Sequence, residues 1–374
     1  MFKYIIRRLL LIIPTLLGIM IINFAIIQFA PGGPIENILA KIQGINVGAT
    51  ARVSGGNSEL TSQSLNISNN ISDGNQETYS SKYRGAKGLD PEFIKELEKM
   101  YGFDKPVYLR FVQMIKNYLS FNFGNSFYRS ESVINLVKEK LPVSISLGLW
   151  TTLLVYFISI PLGISKAVRD GSKFDIWTSG IVVVGNALPA FLFAIFLIII
   201  FSGGSYLDWF PLRGLVSDNW NDLNWYSKVI DYLWHITLPV ISMVIGGFAS
   251  LTMLTKNSFL EQINQQYVLT AKAKGLNNNN VLYGHIFRNG MLIIIAGFPV
   301  AFSGILFTGA LLVEVIFSLD GLGLLGFESA INRDYPVIFA TLYFFTLLGL
   351  VMNLLGDLAM MLVDPRLDFE NRRI

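Results

Sequence analysis

Residues 256–290 read KNSFLEQINQQYVLTAKAKGLNNNNVLYGHIFRNG and lie between two long apolar runs, at 236–254 and 291–317. A polar and basic loop of this length is more than a simple connection between two membrane spans. Apolar side chains recur within it at helical spacing, which predicts a short helix over 262–275 with one apolar face. Those side chains belong to Ile263, Tyr267, Val268 and Ala271.

Two lysines and a glycine mark the end of this predicted helix. Lys272 and Lys274 lie in its last turn, where positive charge complements the helix dipole, and Gly275 can adopt the left-handed conformation that ends a helix. Asn277 can then cap a second helix that runs into the next span. This helix–glycine–helix arrangement suggests a docking site for a soluble partner. The alternative is a helix lying on anionic lipid, which the scarcity of large apolar side chains disfavours.

The composition places the chain in a membrane. Of its 374 residues, 52% are hydrophobic and 15% are charged, whereas soluble domains have about a quarter charged residues. The net charge of +3 gives no argument for binding nucleic acid. Cysteine is absent, and the two histidines, His235 and His285, are far apart in the sequence. We therefore expect no metal site and no cofactor held by this chain.

Six segments are long enough to cross a hydrocarbon core of about 30 Å with about 20 residues each. The sequence thus predicts an all-α integral membrane protein with six transmembrane helices. We place them at 9–30, 144–165, 176–201, 236–254, 291–317 and 337–363. The first run is too long for the core of a signal peptide and lacks an Ala-x-Ala cleavage pattern near its end, so we predict a retained span.

The distribution of lysine and arginine predicts the orientation of the spans. Basic residues are concentrated before the first span, in the loops after the second and fourth spans, and after the sixth. This pattern predicts cytoplasmic N- and C-termini and a cytoplasmic 256–290 loop. The residues concerned are Lys3, Arg7, Arg8, Lys166, Arg169, Lys173, Lys256, Lys272, Lys274, Arg288, Arg366, Arg372 and Arg373.

The same orientation places one long segment, 31–143, outside the membrane. Its 45–88 part is rich in Ser, Asn, Gly and Thr and lacks a helical period, which predicts a flexible insertion. A small external helical region follows, with predicted helices from Asp90 to Gly102, over 106–119 and over 131–141. The predicted organisation is an N-terminus and first span over 1–30, the external region over 31–143, and a five-helix membrane core over 144–374.

The run Gly321-Leu-Gly323-Leu-Leu-Gly326 matches the dinucleotide-binding pattern G-x-G-x-x-G. It follows a predicted span and no strand–helix–strand unit surrounds it, so we interpret the match as accidental. The sequence also has no G-x-x-x-x-G-K-[ST] phosphate loop, H-E-x-x-H or G-x-S-x-G pattern. The chain is therefore not expected to hydrolyse ATP itself or to act as an enzyme of these classes.

Carboxylates inside the predicted spans are informative, because one at the centre of a bilayer costs about 2.5–3.5 kcal/mol on insertion scales. Glu314 lies near the outer end of the fifth predicted span. Asp357 lies about 10 Å from the cytoplasmic end of the sixth at about 1.5 Å per residue, and Asn353 is one turn earlier on the same face. These residues either line a polar pathway or pair with neighbouring helices, and both interpretations remain open.

The loop residues resemble the coupling loop of ATP-binding cassette importer permeases, in the branch that imports peptides. The resemblance rests on Tyr267-Val-Leu-Thr-Ala-Lys-Ala-Lys-Gly275 followed by His285-Ile-Phe-Arg288-Asn289. The general family pattern is Glu-Ala-Ala-x-x-x-Gly with a later Ile-x-Leu-Pro. Leu269 and Thr270 stand where its Glu and first Ala would be, and Arg288 replaces the Pro; the peptide branch shares these departures.

Other runs along the chain are similar to the same branch. They are Arg7-Arg8-Leu-Leu-Leu with Pro14, Pro31-Gly-Gly-Pro34, Tyr101-Gly-Phe-Asp-Lys-Pro106, Phe123-Gly-Asn-Ser126, Gly321-Leu-Gly323, Arg333-Asp-Tyr-Pro336 and Asp364-Pro-Arg366. With its long 45–88 insertion, the chain looks most like the Yej-type permeases, which are associated with peptides and the peptide–nucleotide microcin C.

This resemblance implies a multi-pass permease subunit of the bacterial inner membrane. It implies pairing with a second homologous permease subunit, a cytoplasmic ABC ATPase that binds the ATP, and a periplasmic peptide-binding protein that delivers the peptide. The coupling-loop residues that it implies are Tyr267, Thr270, Ala271, Lys272, Lys274, Gly275 and Arg288. Among these we predict Tyr267 as an aromatic anchor, Ala271 as a small residue that permits close approach of the ATPase, and Gly275 as the turn.

Alternative functions remain at this point. A sibling permease for nickel or other small solutes would share most of these features, because an external binding protein largely determines recognition. An ATP-independent six-span channel would need no soluble motor. A membrane enzyme would need a cluster of catalytic residues at one depth, which the sequence does not show.

Overall fold

The computed structural model describes residues 2–29, 105–126, 128–129, 131–203, 206–304, 311–332 and 334–363. The helices in this part of the chain are α1 (Phe2–Phe29), α2 (Val107–Leu119), α3 (Val133–Val168), α4 (Lys173–Ala187), α5 (Ala190–Phe201), α6 (Trp225–Ile263), α7 (Gln266–Ala273), α8 (Asn278–Val281), α9 (Phe287–Gly304), α10 (Leu311–Ile316), α11 (Leu322–Ile331) and α12 (Tyr335–Val363). The predicted insertion over 45–88 and the predicted helix from Asp90 to Gly102 lie outside the described residues.

The fold is all-α, as the sequence predicts. Five helical segments are long and apolar enough to cross a membrane, and α4 with α5 makes a sixth if this bent pair is one span. The five segments are Tyr4–Ile26, Val133–Val168, Trp225–Ile263, Asn278–Gly304 and Tyr335–Val363. Within the described ranges the only β-pairing is an isolated bridge between Asn125 and Ser132.

The third predicted span, 176–201, is not one straight helix. The chain bends by 94° between α4 and α5. Pro189 lacks an N–H, and its ring disfavours a helical conformation at the preceding residue, so Leu188 adopts an extended conformation with ψ 117°. The prediction of an unbroken span here was therefore wrong. The other prolines of the predicted spans, Pro14, Pro161, Pro239 and Pro299, lie inside continuous helices.

Two units follow from the spacing of the Cα atoms. The first comprises Met1–Leu16, Val137–Leu325 and Phe344–Ile374. One of its apolar clusters joins α3, α5, α6 and α10 around buried residues such as Leu147, Ala194 and Phe317. A second cluster joins α3, α6, α7 and α9 around Phe259 and Ile294. The second cluster holds the helix predicted in the 256–290 loop.

The second unit comprises Leu17–Leu136 and Gly326–Tyr343. The amphipathic helix predicted over 106–119 is present as α2. Tyr118 from its last turn packs edge-on against Phe123 and Tyr343, with ring centroids 4.9 and 5.5 Å apart. Burial among these rings raises the pKa of the Tyr118 hydroxyl. The stretch predicted over 131–141 is the first part of α3, which continues into the membrane-spanning length.

Candidate functional site

The short helix predicted in the 256–290 loop is present, with different bounds. Ile263 is the last residue of α6, and α7 begins only at Gln266. Gln265 between them has extended backbone angles (φ −77°, ψ 151°), which an α-helix cannot continue through. The prediction of one helix over 262–275 is corrected accordingly: Ile263 ends the preceding helix, and α7 is a separate segment of eight residues.

The inner face of α7 packs against the rest of its own unit. Val268 is 1% exposed, and Ala271 is buried beside it in the apolar cluster that contains Phe259, Val281 and Ile286. A helix of eight residues is unstable by itself in water, so this burial is what keeps α7 folded and fixes its direction. Motion of α7 must therefore be shared with α6 and α9.

The outer face of α7 is exposed. Leu269 is 65% exposed, and Thr270, Lys272 and Lys274 are exposed with it. Tyr267 is half-buried, and its hydroxyl donates a hydrogen bond to Gln262 Oε1 at 2.9 Å. The burial of Ala271 does not fit the prediction that it permits close approach of a partner, since its methyl group lies on the inner face.

The turn after α7 has the conformation that its sequence predicts. Gly275 has φ +85°, a left-handed angle that side chains with a Cβ rarely adopt. Its N–H donates to the Lys272 carbonyl at 2.9 Å, and the Leu276 N–H donates to the Ala271 carbonyl at 3.3 Å. Asn277 Oδ1 then accepts the N–H of Asn280 at 2.8 Å, which confirms the predicted cap of the second helix.

The second helix of the loop continues without a break into a membrane-spanning length. A π-helical turn, Leu282–Ile286, connects α8 to α9. Arg288, in the first turn of α9, donates from Nε to the carbonyl of Val363 at 2.9 Å. This hydrogen bond links α9 to the end of α12, so Arg288 has a contact within its own chain besides its predicted place in the coupling loop.

A buried charge network lies beside the start of the 256–290 loop. Lys166 is fully buried, and its Nζ lies 2.9 Å from Asp175 Oδ1. The same ammonium donates to the hydroxyls of Thr178 at 2.9 Å and Ser179 at 2.7 Å. Lys256 approaches Asp175 Oδ2 at 2.7 Å from the opposite side. One carboxylate therefore neutralises two lysines and ties α3, α4 and α6 together.

Glu314 is 1% exposed and caps the N-terminus of α11. Its carboxylate accepts the N–H groups of Gly323 and Leu324, the latter at 2.7 Å. The Leu322 N–H donates to Ser144 Oγ of α3 at 2.8 Å. The free N–H groups of a helix start favour negative charge, which explains the burial of this carboxylate.

The glycines of the G-x-G-x-x-G run serve this cap. A Cβ at Gly321 would overlap the Glu314 carboxylate, and one at Gly323 would approach it at 3.1 Å. A Cβ at Gly326 would have no neighbour within 4 Å. The first two glycines thus admit a protein carboxylate rather than a nucleotide phosphate. Glu314 lies on α10, beyond the candidate span that ends at Gly304.

Asp357 makes contacts with another helix of its unit. Its Oδ2 accepts the hydroxyl of Tyr4 at 2.7 Å and lies 2.9 Å from Arg8 Nη2. Asn353, one turn earlier, is exposed. These contacts favour pairing between α12 and α1 over a place for Asp357 in a polar pathway.

Two of the runs quoted for the resemblance meet in the second unit. Ser126 Oγ donates a short hydrogen bond to Asp334, and the same oxygen accepts the N–H groups of Tyr128 at 3.1 Å and Arg129 at 2.9 Å. Arg129 Nη2 also lies 2.6 Å from Glu328 Oε2. The run ending at Ser126 and the run containing Asp334 therefore form one polar contact, although 208 residues separate them.

Sequence reasoning did not find the Lys166–Asp175–Lys256 network or the role of Gly321. Lys166 and Lys256 were counted only as basic residues that orient the spans. The available signal was an acidic residue, Asp175, three positions after a possible N-cap at Ser172, at the start of an apolar run. That pattern predicts a helix start but does not reveal which lysines approach it.

The comparisons with known proteins agree with this architecture. Residues 159–369 match the model of a family described as a binding-protein-dependent transport system inner membrane component. A peptidoglycan transport system permease protein, YejB, of Agrobacterium fabrum is 58% identical over 99% of both chains. An inner membrane ABC transporter permease protein, YejB, of Escherichia coli O157:H7 is 57% identical over 99% of both.

A more distant relative matches over the same length. The oligopeptide transport system permease protein AppB of Bacillus subtilis is 32% identical and covers 99% of this chain and 100% of its own. The family match covers more than half of the chain, and full-length relatives exceed 30% identity. The chain therefore belongs to the family of inner membrane components of binding-protein-dependent transport systems.

Proposed function

We propose that this chain is the permease subunit of an ATP-driven importer that carries peptides across the bacterial inner membrane. Relatives that match its whole length are named as ABC transporter, oligopeptide and peptidoglycan transport permeases. An ATP-independent channel does not fit a family of binding-protein-dependent transport components. Nickel or another small solute is disfavoured by these relatives, and uptake measurements discriminate between the substrates.

The observation that carries the proposal is the two-sided construction of α7. Its inner face is packed against α6 and the segment that leads into α9, and its outer face is exposed with one large apolar side chain, Leu269, beside Lys272 and Lys274. A short helix that is held rigidly and presents such a face suits a helix-in-groove contact with a soluble protein. Closure of an ATPase on ATP would then move α6 and α9 through α7.

The partners follow from this assignment. A cytoplasmic ATPase binds the ATP and contacts the outer face of α7, a second homologous permease completes the passage, and an external binding protein delivers the peptide. Both termini and the 256–290 loop are cytoplasmic in this proposal, in accordance with the distribution of basic residues. This chain itself supplies no ATP site and no cofactor.

The substrate class is a peptide. The name of the 58% identical relative favours a second candidate within this class, the peptide part of peptidoglycan fragments. Peptide–nucleotide compounds related to microcin C are a further candidate from the Yej-type resemblance. Uptake of labelled tripeptide, labelled muropeptide and nickel by cells that lack the native permease discriminates between these substrates. Restoration of nickel uptake alone would contradict the proposal.

Cross-linking tests the docking face directly, because the chain contains no cysteine and an introduced one is its only thiol. A Leu269→Cys permease should cross-link to the ATPase that purifies with it, and a charge-reversing Lys272→Glu change should weaken co-purification. Asn219→Cys is the matched control, since this residue is exposed but lies in the loop before α6. Equal cross-linking at both positions would contradict the proposal.

The proposed orientation has its own measurement. A membrane-impermeant maleimide should label Lys274→Cys only in inside-out vesicles and Asn219→Cys only in right-side-out vesicles. Both positions are exposed, so a difference in labelling reports the side of the membrane. The reverse result would place α7 outside and exclude contact with a cytoplasmic ATPase.

A further inference from the structure

A cavity of about 440 Å³ lies among the membrane-spanning helices of the first unit. Residues of α3, α6 and α9 line it, together with Ala190 at the first turn of α5, where the broken span resumes. This volume lies within the range of about 300–1,000 Å³ that is typical of ligand pockets. The cavity is separate from the α7 face and from the Glu314 cap.

The described residues that line the cavity are uncharged. Its polar atoms are hydroxyls, from Thr151, Thr152, Ser250 and Tyr156, and the rest of the lining is apolar or glycine. Burying a charge in such surroundings is costly because nothing there compensates it. The lining therefore favours an uncharged ligand with some hydrogen-bonding capacity.

One of these hydroxyls is both buried and unpartnered. Thr152 is 1% exposed, and its Oγ1 has no hydrogen-bond partner. A buried hydroxyl without a partner costs free energy, and buried polar groups are normally satisfied by protein, water or ligand. The neighbouring Thr151 hydroxyl has only a long contact of 3.9 Å with Met243 Sδ. The cavity wall thus offers hydrogen bonds that the chain itself does not use.

Two glycines keep the cavity open. A Cβ at Gly247 of α6 would approach Val155 of α3 at 3.3 Å. A Cβ at Gly297 of α9 would lie 3.7 Å from the Tyr156 hydroxyl. Larger side chains at either position would therefore occupy the space between these helices.

We propose that this cavity binds an uncharged stretch of the transported peptide, with a peptide N–H or C=O hydrogen-bonded to Thr152 Oγ1. The inference rests on the proposed function, since it assumes that a peptide passes through this chain. A lipid acyl chain would fill the same volume but would leave the Thr152 hydroxyl unpartnered. A peptide group supplies both a donor and an acceptor, which is the chemistry the wall lacks.

A matched pair of threonines tests the hydrogen bond. Thr152→Val removes the hydroxyl with little change of shape, and we expect about a two- to tenfold loss in apparent affinity for tetra-alanine uptake. Thr252→Val is the control, because Thr252 is 0% exposed and its hydroxyl is also unpartnered, but it does not line the cavity. Equal effects of the two substitutions on uptake per folded permease would overturn the proposal.

Thiol protection tests occupancy by the peptide. Ser250 lines the cavity and is exposed, so Ser250→Cys gives a single reactive thiol in the assembled transporter. Tetra-alanine supplied during turnover should slow its labelling by a small maleimide in a concentration-dependent way, and tetra-lysine should slow it less. Leu269→Cys, far from the cavity, is the control for general effects of turnover.

The outcomes separate this inference from the proposed function. Unchanged labelling of Ser250→Cys during normal tetra-alanine uptake would overturn the cavity assignment and leave the transport function standing. Labelling that responds to acyl-chain length in the bilayer but not to peptide would assign the cavity to lipid. Absence of peptide uptake by the wild-type transporter would overturn both the function and the inference.

Discussion

Lys256 Nζ lies 2.7 Å from Asp175 Oδ2, and this contact joins the helix that leads to α7 to the first turn of α4. The same carboxylate compensates Lys166, which is fully buried. Movement of α7 would therefore reach the broken span α4–α5 through α6 and this ion pair. The contact gives a physical route from the exposed loop to the interior helices.

Asp175→Asn should destabilise the protein strongly. The substitution leaves the buried Lys166 ammonium without a counter-charge, and breaking a buried pair costs about 3–5 kcal/mol. The measurement is the unfolding midpoint in detergent. Asp170→Asn is the control, because Asp170 pairs with Lys256 at 2.8 Å but its side chain is half-exposed, so a cost of about 0–1 kcal/mol is expected.

A compensating change provides the second arm of this test. Adding Lys166→Met to Asp175→Asn removes the uncompensated charge and should recover part of the lost stability. No recovery, or equal costs for the Asp175 and Asp170 substitutions, would show that the buried charge pair is not the source of the effect.

Gly321→Ala should destabilise the junction of α10 and α11. Its Cβ would overlap the Glu314 carboxylate, and overpacking of this kind costs about 1–3 kcal/mol. Gly326→Ala, in the same sequence run, meets nothing within 4 Å and should be neutral or slightly stabilising. Thermal unfolding of both variants in detergent checks this difference. If Glu314→Ala fails to relieve the Gly321→Ala defect, the steric explanation is wrong.

Gly275→Val should uncouple ATP hydrolysis from peptide uptake without preventing insertion into the membrane. The side chain meets no steric obstacle, so the effect comes from the φ of +85°, where a Cβ costs about 1–2 kcal/mol. Gly275→Asn should be tolerated better, because Asn adopts this conformation more readily. Uptake and ATPase rates of the purified transporter are the measurements.

Gly171→Val is the matched control for this prediction. Gly171 has φ +72° and equally open surroundings, but it lies in the turn between α3 and α4. We expect a similar loss of stability with coupling retained. Wild-type uptake by a well-expressed Gly275→Val permease would refute the assigned role of this turn.

Asp357→Asn should lower the stability modestly and leave the uptake per folded molecule nearly unchanged. Arg8 is partly exposed, so its ion pair with Asp357 contributes about 0–1 kcal/mol. Folded protein is quantified by detergent gel filtration before uptake is compared. A fully folded variant that cannot transport would instead support the pathway interpretation of Asp357. Asn353→Leu, on the exposed neighbouring turn, then tests whether the same face is involved.

The agreement between sequence and structure is best where the interactions are local. The glycine turn at Gly275 and the cap at Asn277 depend on backbone angles and on hydrogen bonds within a few residues, and both are observed as predicted. The bend at Leu188 was missed even though Pro189 had been noted, because prolines elsewhere in the chain are accommodated within straight helices. A proline alone does not reveal whether neighbouring helices leave room for a bend.

By itself, the sequence determined the helical class, the apolar lengths able to span a membrane, and the capped helices of the 256–290 loop. These features follow from composition, periodicity and local backbone chemistry. Only the tertiary structure decided that Ala271 faces inward and Leu269 outward, that Asp175 serves two lysines, and that Gly321 makes room for Glu314. Such contacts arise when helices distant in the sequence pack side by side, and periodicity along one helix does not specify which neighbour each face meets.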